Sequence, residues 1–139
     1  MTLSQKSYIA GIVDGEGNIA IGKRTPKGCI NPSYTGYVKV TNTDKRLLVW
    51  LKNVVGMGSI YSPNVKGNRR PIHNWSICDQ EAEQFLREIH EFLVIKQEQA
   101  RTYFDFRKTF GRVYPQGTPQ NLLQTRKELF EQMQQLHHL

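Results

Sequence analysis

Between Tyr8 and Ile21 the apolar spacing of this chain changes period. Tyr8, Ile9 and Ile12 form a stripe at helical spacing, whereas Ile19 and Ile21 alternate as strand residues do. The change falls on Asp14-Gly15-Glu16-Gly17, where two glycines permit a tight turn. This predicts a helix over 4–13, with Ser4 as its cap, running straight into a strand over 18–24. A helix and a sheet joined so closely must bury their apolar faces against each other.

The same alternation continues down the chain. A second strand is expected over 34–41, with Val38 and Val40 inward. Thr43 or Asn42 can cap a helix reaching Val55, whose buried side holds Leu47, Leu48, Leu51 and Val54 or Val55. Gly56 and Gly58 end it. Segments 59–62 and 72–77 read as a second hairpin, joined by the basic loop 64–70. Asp79 is a cap for a helix bearing Ala82, Phe85, Leu86 and Ile89, and another helix spans 94–110. After a core-poor linker, Thr118-Pro119 opens a last helix to about residue 136. The order is αββαββααα, an α+β fold. One domain is expected over 1–139, with a core to about 110 and a helical extension over about 118–137.

Strand parity sorts the sheet residues. If Ile19, Ile21, Val38, Val40, Ile60, Trp75 and Ile77 face the helices, the other face carries Asn18, Arg24, Thr35, Tyr37, Lys39, Ser59, Tyr61, Asn74 and Ser76. That face is polar, and an antiparallel sheet tolerates water on one side. Charge singles out the same region. Residues 18–75 hold ten Lys/Arg against one acid, Asp44, although the whole chain is only +7. A basic middle between near-neutral ends suits a polyanion-binding surface. Scattered solubilising charge would mix both signs.

Other classes fit less well. No apolar run approaches the length of a membrane helix, so no membrane partner is expected. The N-terminal residues do not read as a secretory signal, which suggests an intracellular setting. Cys29 and Cys78 are far apart and suit free thiols better than a zinc site. His73, His90, His137 and His138 do not cluster at metal spacing.

The sharpest motif is Ile9-Ala10-Gly11-Ile12-Val13-Asp14-Gly15-Glu16-Gly17. It resembles the LAGLIDADG motif position by position, with Ile for the leading Leu, Gly for the second Ala, Val for the Ile and Glu for the second Asp. The element order through about residue 110 resembles that family as well. The small residues Ala10 and Gly11, with Asp14 one turn on, would let two helices approach closely. Asp14 and Glu16 sit at a helix C-terminus, the negative end of the macrodipole, where an acid costs about 0.3–1 kcal/mol. Carboxylates there make sense if a cation joins them, and hard oxygens suit Mg²⁺.

The resemblance implies a single-motif, homodimeric homing endonuclease. Its curved antiparallel sheet would form a saddle for DNA, with helices on the opposite face. Glu16 would be the acidic metal ligand, assisted by the Gly15 carbonyl, with Mg²⁺ as the metal and Mn²⁺ as a possible substitute. Glu replaces the usual Asp and is one methylene longer, so the metal would sit slightly differently. Asp14 would be structural, ending the helix. Asn42 would orient water with Arg46 near it, and Lys96 would lie by the scissile phosphate. The helix pair would use Tyr8, Ala10, Gly11 and Asp14. A homodimer would hydrolyse both strands of a long, pseudo-palindromic duplex site, as in intron mobility, with no small-molecule substrate. Expected DNA contacts are Asn18, Arg24, Lys27, Thr35, Tyr37, Lys39, Tyr61, Lys66, Arg69, Arg70, Asn74 and Ser76. Rival readings are a maturase or regulator that binds without cutting, and an RNA-binding module that stacks bases on Tyr37 and Tyr61.

Overall fold

The computed structural model describes residues 1–64, 66–67 and 69–138. Val65 and Asn68, within the expected basic loop, lie outside the described residues. Helix α1 (Leu3–Glu16) leads into strand β1 (Gly17–Arg24), followed by β2 (Ser33–Asn42) and α2 (Lys45–Val55). Strands β3 (Ser59–Tyr61) and β4 (His73–Cys78) come next, then α3 (Asp79–Ile89). A 3-10 turn (His90–Phe92) precedes α4 (Gln97–Arg107), and α5 (Gln120–His137) closes the chain. The expected order αββαββααα is the observed one. The four strands form one antiparallel sheet in the order β1-β2-β4-β3.

The core lies between the sheet and the helices. Ile19, Ile21, Val38, Val40, Trp75 and Ile77 are buried on the sheet side, as their parity predicts. Against them pack Ile9 and Val13 of α1, Leu48 and Leu51 of α2, Phe85 and Leu86 of α3, and Tyr103 and Phe106 of α4. Full burial of each such side chain is worth about 1.5–3 kcal/mol. Trp75 also satisfies its indole N–H by donating to the Met57 carbonyl at 3.1 Å. Gly36 is required by contact: a Cβ there would stand 2.5 Å from Cε2 of Tyr103.

Helix boundaries differ from the sequence reading for local reasons. Helix α1 starts on Thr2, which forms a capping box with Gln5, rather than on Ser4. It also continues through Gly15 to Glu16, so Asp14 does not end it. Asp44, not Thr43 or Asn42, caps α2 by accepting from the Arg46 N–H. Asp79 is the first residue of α3 rather than its cap, with a left-handed φ of 51°. The expected helix over 94–110 begins only at Gln97.

The topology fixes the two ends of the sheet. Asn42 pairs with His73, so the loop carrying Lys66, Arg69 and Arg70 leaves the sheet at the end where α1 delivers Glu16. The loop with Lys27, between β1 and β2, leaves at the opposite end. Helix α5 lies along β1, an edge strand, where His137 Nε2 is 2.7 Å from the Ile19 carbonyl oxygen. It is anchored by Arg126, which stacks over Phe110 at 3.8 Å and donates to Thr109. Among the described residues, no helix is long and apolar enough to cross a membrane.

Candidate active site

Glu16 is the last residue of α1, and its carboxylate is exposed. Its position is not left to rotamer freedom. The Asn42 side-chain amide donates to Glu16 Oε2 at 2.5 Å. Asn42 is itself held, because its Oδ1 accepts from the Asp44 N–H at 2.7 Å. Strand β2 thus ends by turning its last side chain toward the end of α1. Glu16, Thr41, Asn42, Thr43 and Ile72 line an open cleft there.

Asp14, two residues before Glu16, and Lys96 form a second arrangement. The Asp14 carboxylate accepts from the backbone N–H groups of Val94, Ile95 and Lys96 at 2.8, 3.2 and 3.1 Å. These groups stand just before α4, so the charge sits at the positive end of that helix dipole. The cost expected for an acid at the end of α1 is thereby offset at the start of α4. Lys96 answers in the opposite direction. Its ammonium donates to the Val13 and Asp14 carbonyls, both at 2.8 Å, and so meets the negative end of α1. Partial burial pushes the Lys96 pKa down, and the neighbouring Asp14 charge opposes that.

The structure separates the other expected site residues. Arg46 is turned onto Asp44 rather than toward Asn42 and Glu16. It forms a two-pronged pair, Nε to Oδ1 at 3.0 Å and Nη2 to Oδ2 at 2.7 Å, with its side chain 91% exposed. The Arg46 hydrogen bonds hold the Asp44 carboxyl at a pKa of about 2. Ala10 is wholly buried in its own chain's core, so it has no surface to offer a partner. Asp14 is committed to the segment before α4. The open stripe of α1 is instead Ser4, Ser7, Tyr8, Gly11 and Gly15, and a Cβ on either glycine would meet nothing within 4 Å.

The open face of the sheet has the composition expected of it. Register places Asn18, Lys39, Ser76 and Ser59 in one row across all four strands. Thr41, Asn74 and Tyr61 form the next row, in which Thr41 Oγ1 donates to Asn74 Oδ1 at 2.6 Å. Tyr37 lies between Ala20 and Cys78, and Thr35 lies opposite Gly22. Arg24, Lys27, Lys66, Arg69 and Arg70 are exposed at the ends of the strands and in the loops. Thr41 and Cys78 share this face and were not singled out from the sequence, although parity alone assigns them to it.

No protein-family model matches the sequence, and no curated protein matches it. Solved structures do resemble it in three dimensions. The homing endonuclease I-CvuI, in complex with the I-CreI target and Mg with the DNA not cleaved, superposes with a TM-score of 0.79 at 18% identity. That match covers 96% of this chain and 82% of the other. The archaeal intron-encoded homing endonuclease I-Vdi141I, complexed with DNA, gives 0.78 at 15% identity, covering 96% and 84%. The group I intron-encoded I-CeuI, also complexed with DNA, gives 0.70 at 18% identity, covering 95% and 67%. The fold is that of the LAGLIDADG homing endonucleases. Within this fold, residues 9–17 occupy the end of α1 and its entry into the sheet, where the sequence motif placed them.

The donor set also bears on a metal. Among the described residues, no group of three or more His, Cys, Asp or Glu could hold an ion. At the end of α1 the exposed carboxylate is that of Glu16. That suits a hard cation which keeps several waters and completes its shell with phosphate oxygens.

Proposed function

We propose that this chain is a metal-dependent, site-specific double-strand DNA endonuclease that acts as a homodimer. The observation that carries the reading is the Glu16 carboxylate. It is presented at a helix end, aimed by Asn42, and borders a polar sheet face flanked by basic loops. The likeness to homing endonucleases solved with DNA supports it. Glu16, with the Gly15 carbonyl, would hold Mg²⁺ or, in substitution, Mn²⁺. Such an ion lowers the pKa of bound water and stabilises charge on phosphate oxygens.

The remaining work falls to the chain's own residues. Asn42 fixes the Glu16 rotamer and presents its amide to water in the cleft. Lys66, Arg69 and Arg70 bring positive charge to the end of the sheet that holds Glu16, where a phosphate backbone must pass. Asn18, Lys39, Ser76 and Ser59, with Thr35, Tyr37, Asn74 and Tyr61, form a polar surface on strands of the kind a major groove admits. Arg24 and Lys27 extend it toward flanking sequence. One chain carries one carboxylate site and a duplex has two strands. Two chains related by a two-fold axis would supply both sites and would favour a pseudo-palindromic target.

The test is digestion of a randomised duplex library with Mg²⁺, Ca²⁺ or EDTA, followed by sequencing of the cut ends. Cleavage is expected with Mg²⁺ alone at one pseudo-palindromic site. Glu16→Gln should abolish it by removing a charged ligand while leaving duplex binding intact. A wild-type protein that binds a duplex specifically yet never cuts with Mg²⁺ or Mn²⁺ would be a maturase or regulator instead.

A further inference from the structure

Asp14 and Lys96 hold each other's helices rather than each other. Five hydrogen bonds cross between the end of α1 and the start of α4, three into the Asp14 carboxylate and two from the Lys96 ammonium. The two residues are 82 positions apart in sequence. Glu16 lies two residues beyond Asp14, on the same final turn. Nothing else on α1 ties that turn to the helices so densely: the buried residues of α1 stop at Val13. On its other side, Glu16 meets Asn42.

We propose that Lys96 is a positioning residue: with its own backbone fixed by Asp14, its ammonium locks the last turn of α1 and so sets where Glu16 stands. This rests on the nuclease reading given above. It differs from a role beside the scissile phosphate, because an ammonium donating to two carbonyls at 2.8 Å would have to release them to reach DNA. Lysine suits the task, since a long stem carries three donors to the last carbonyls of a helix, which have room for further donors. The clamp also explains why the motif keeps an acid at position 14, where an isolated helix would favour a base.

The test uses the full-length protein and two readouts. Lys96→Met and Asp14→Asn are compared with wild type, and Lys96→Arg is the variant that keeps the charge. The first readout is amide hydrogen exchange at residues 14–17 in the free protein, without DNA or metal. Loss of the clamp should speed it by about tenfold or more in Lys96→Met and Asp14→Asn. The second is the Mg²⁺ concentration for half-maximal single-turnover cleavage, measured well below the melting temperature at saturating duplex. It should rise several-fold in both variants while duplex affinity holds, with Lys96→Arg in between. Unchanged exchange with slower cleavage in Lys96→Met would overturn the proposal in favour of a phosphate contact. Faster exchange with an unchanged Mg²⁺ dependence would overturn it in favour of a plain structural cap. If wild type cuts no duplex, the nuclease reading falls and this role with it, while faster exchange would still establish the clamp itself.

Discussion

Single residues in this molecule act through what holds them. Asn42 matters because one oxygen is spent on the Asp44 N–H, which leaves the amide aimed at Glu16. Its importance was inferable from the motif context, but its grip on Glu16 was not, since 26 residues separate the pair. Arg46 illustrates the converse. Proximity in sequence to Asn42 suggested a site role, yet Asp44 is nearer and of opposite charge, and it captures the guanidinium. Gly36 gives a prediction at this scale. Tyr103 is fully buried and its hydroxyl donates to the Asp79 carbonyl at 2.9 Å, so the ring cannot retreat from an added methyl. Gly36→Ala should destabilise the fold by about 1–3 kcal/mol, read as a lower urea midpoint with an unchanged slope. An unchanged midpoint would mean that the ring does not lie against β2.

Elements were legible wherever a period was. The switch from helical to alternating spacing placed α1 and β1, and parity separated Val38 and Val40 from Tyr37 and Lys39. What could not be read was where α1 stops, because that depends on distant partners. Gly15 and Gly17 signal a turn in isolation, but Lys96 satisfies the carbonyls of Val13 and Asp14 and the helix runs on to Glu16. Likewise Ala10 looked free for a partner helix by size alone, and only the packed core shows it to be enclosed. The cap of α2 gives a pH prediction. The Asp44 carboxyl is lowered from 3.8 to about 2 by its hydrogen bonds to Arg46. A depressed folded-state pKa adds stability that is complete above the unfolded value and fades as pH falls toward the folded one. Thermal stability should therefore decline between about pH 4 and pH 2, and Asp44→Ala should flatten that limb while lowering stability at neutral pH. An acid limb of equal slope in both proteins would assign it to other carboxylates.

At the scale of the whole molecule, the arrangement of surface bears on the homodimer proposed above. The sheet's open face carries residues suited to reading DNA, and α5 covers the outer edge of β1, so that edge is not free to pair with another sheet. In the proposed homodimer the seam would be the open stripe of α1, running from Ser4 through Ser7 and Gly11 to Gly15, with Tyr8 stacked edge-on against Trp50 beside it. Gly11 separates the needs of the protomer from those of the dimer. A side chain there meets nothing within 4 Å in one chain, and glycine inside a helix costs about 0.5–1 kcal/mol relative to a good helix former. Gly11→Lys should thus make the isolated protomer slightly more stable at low concentration. In a pair of helices packed at this point, the same side chains and charges would collide across the axis. Sedimentation should then show a dimer for wild type and a monomer for Gly11→Lys, and duplex cleavage should be lost along with the dimer. A variant that still sediments as a dimer would remove α1 from the seam and leave the two-fold arrangement to be sought on another face.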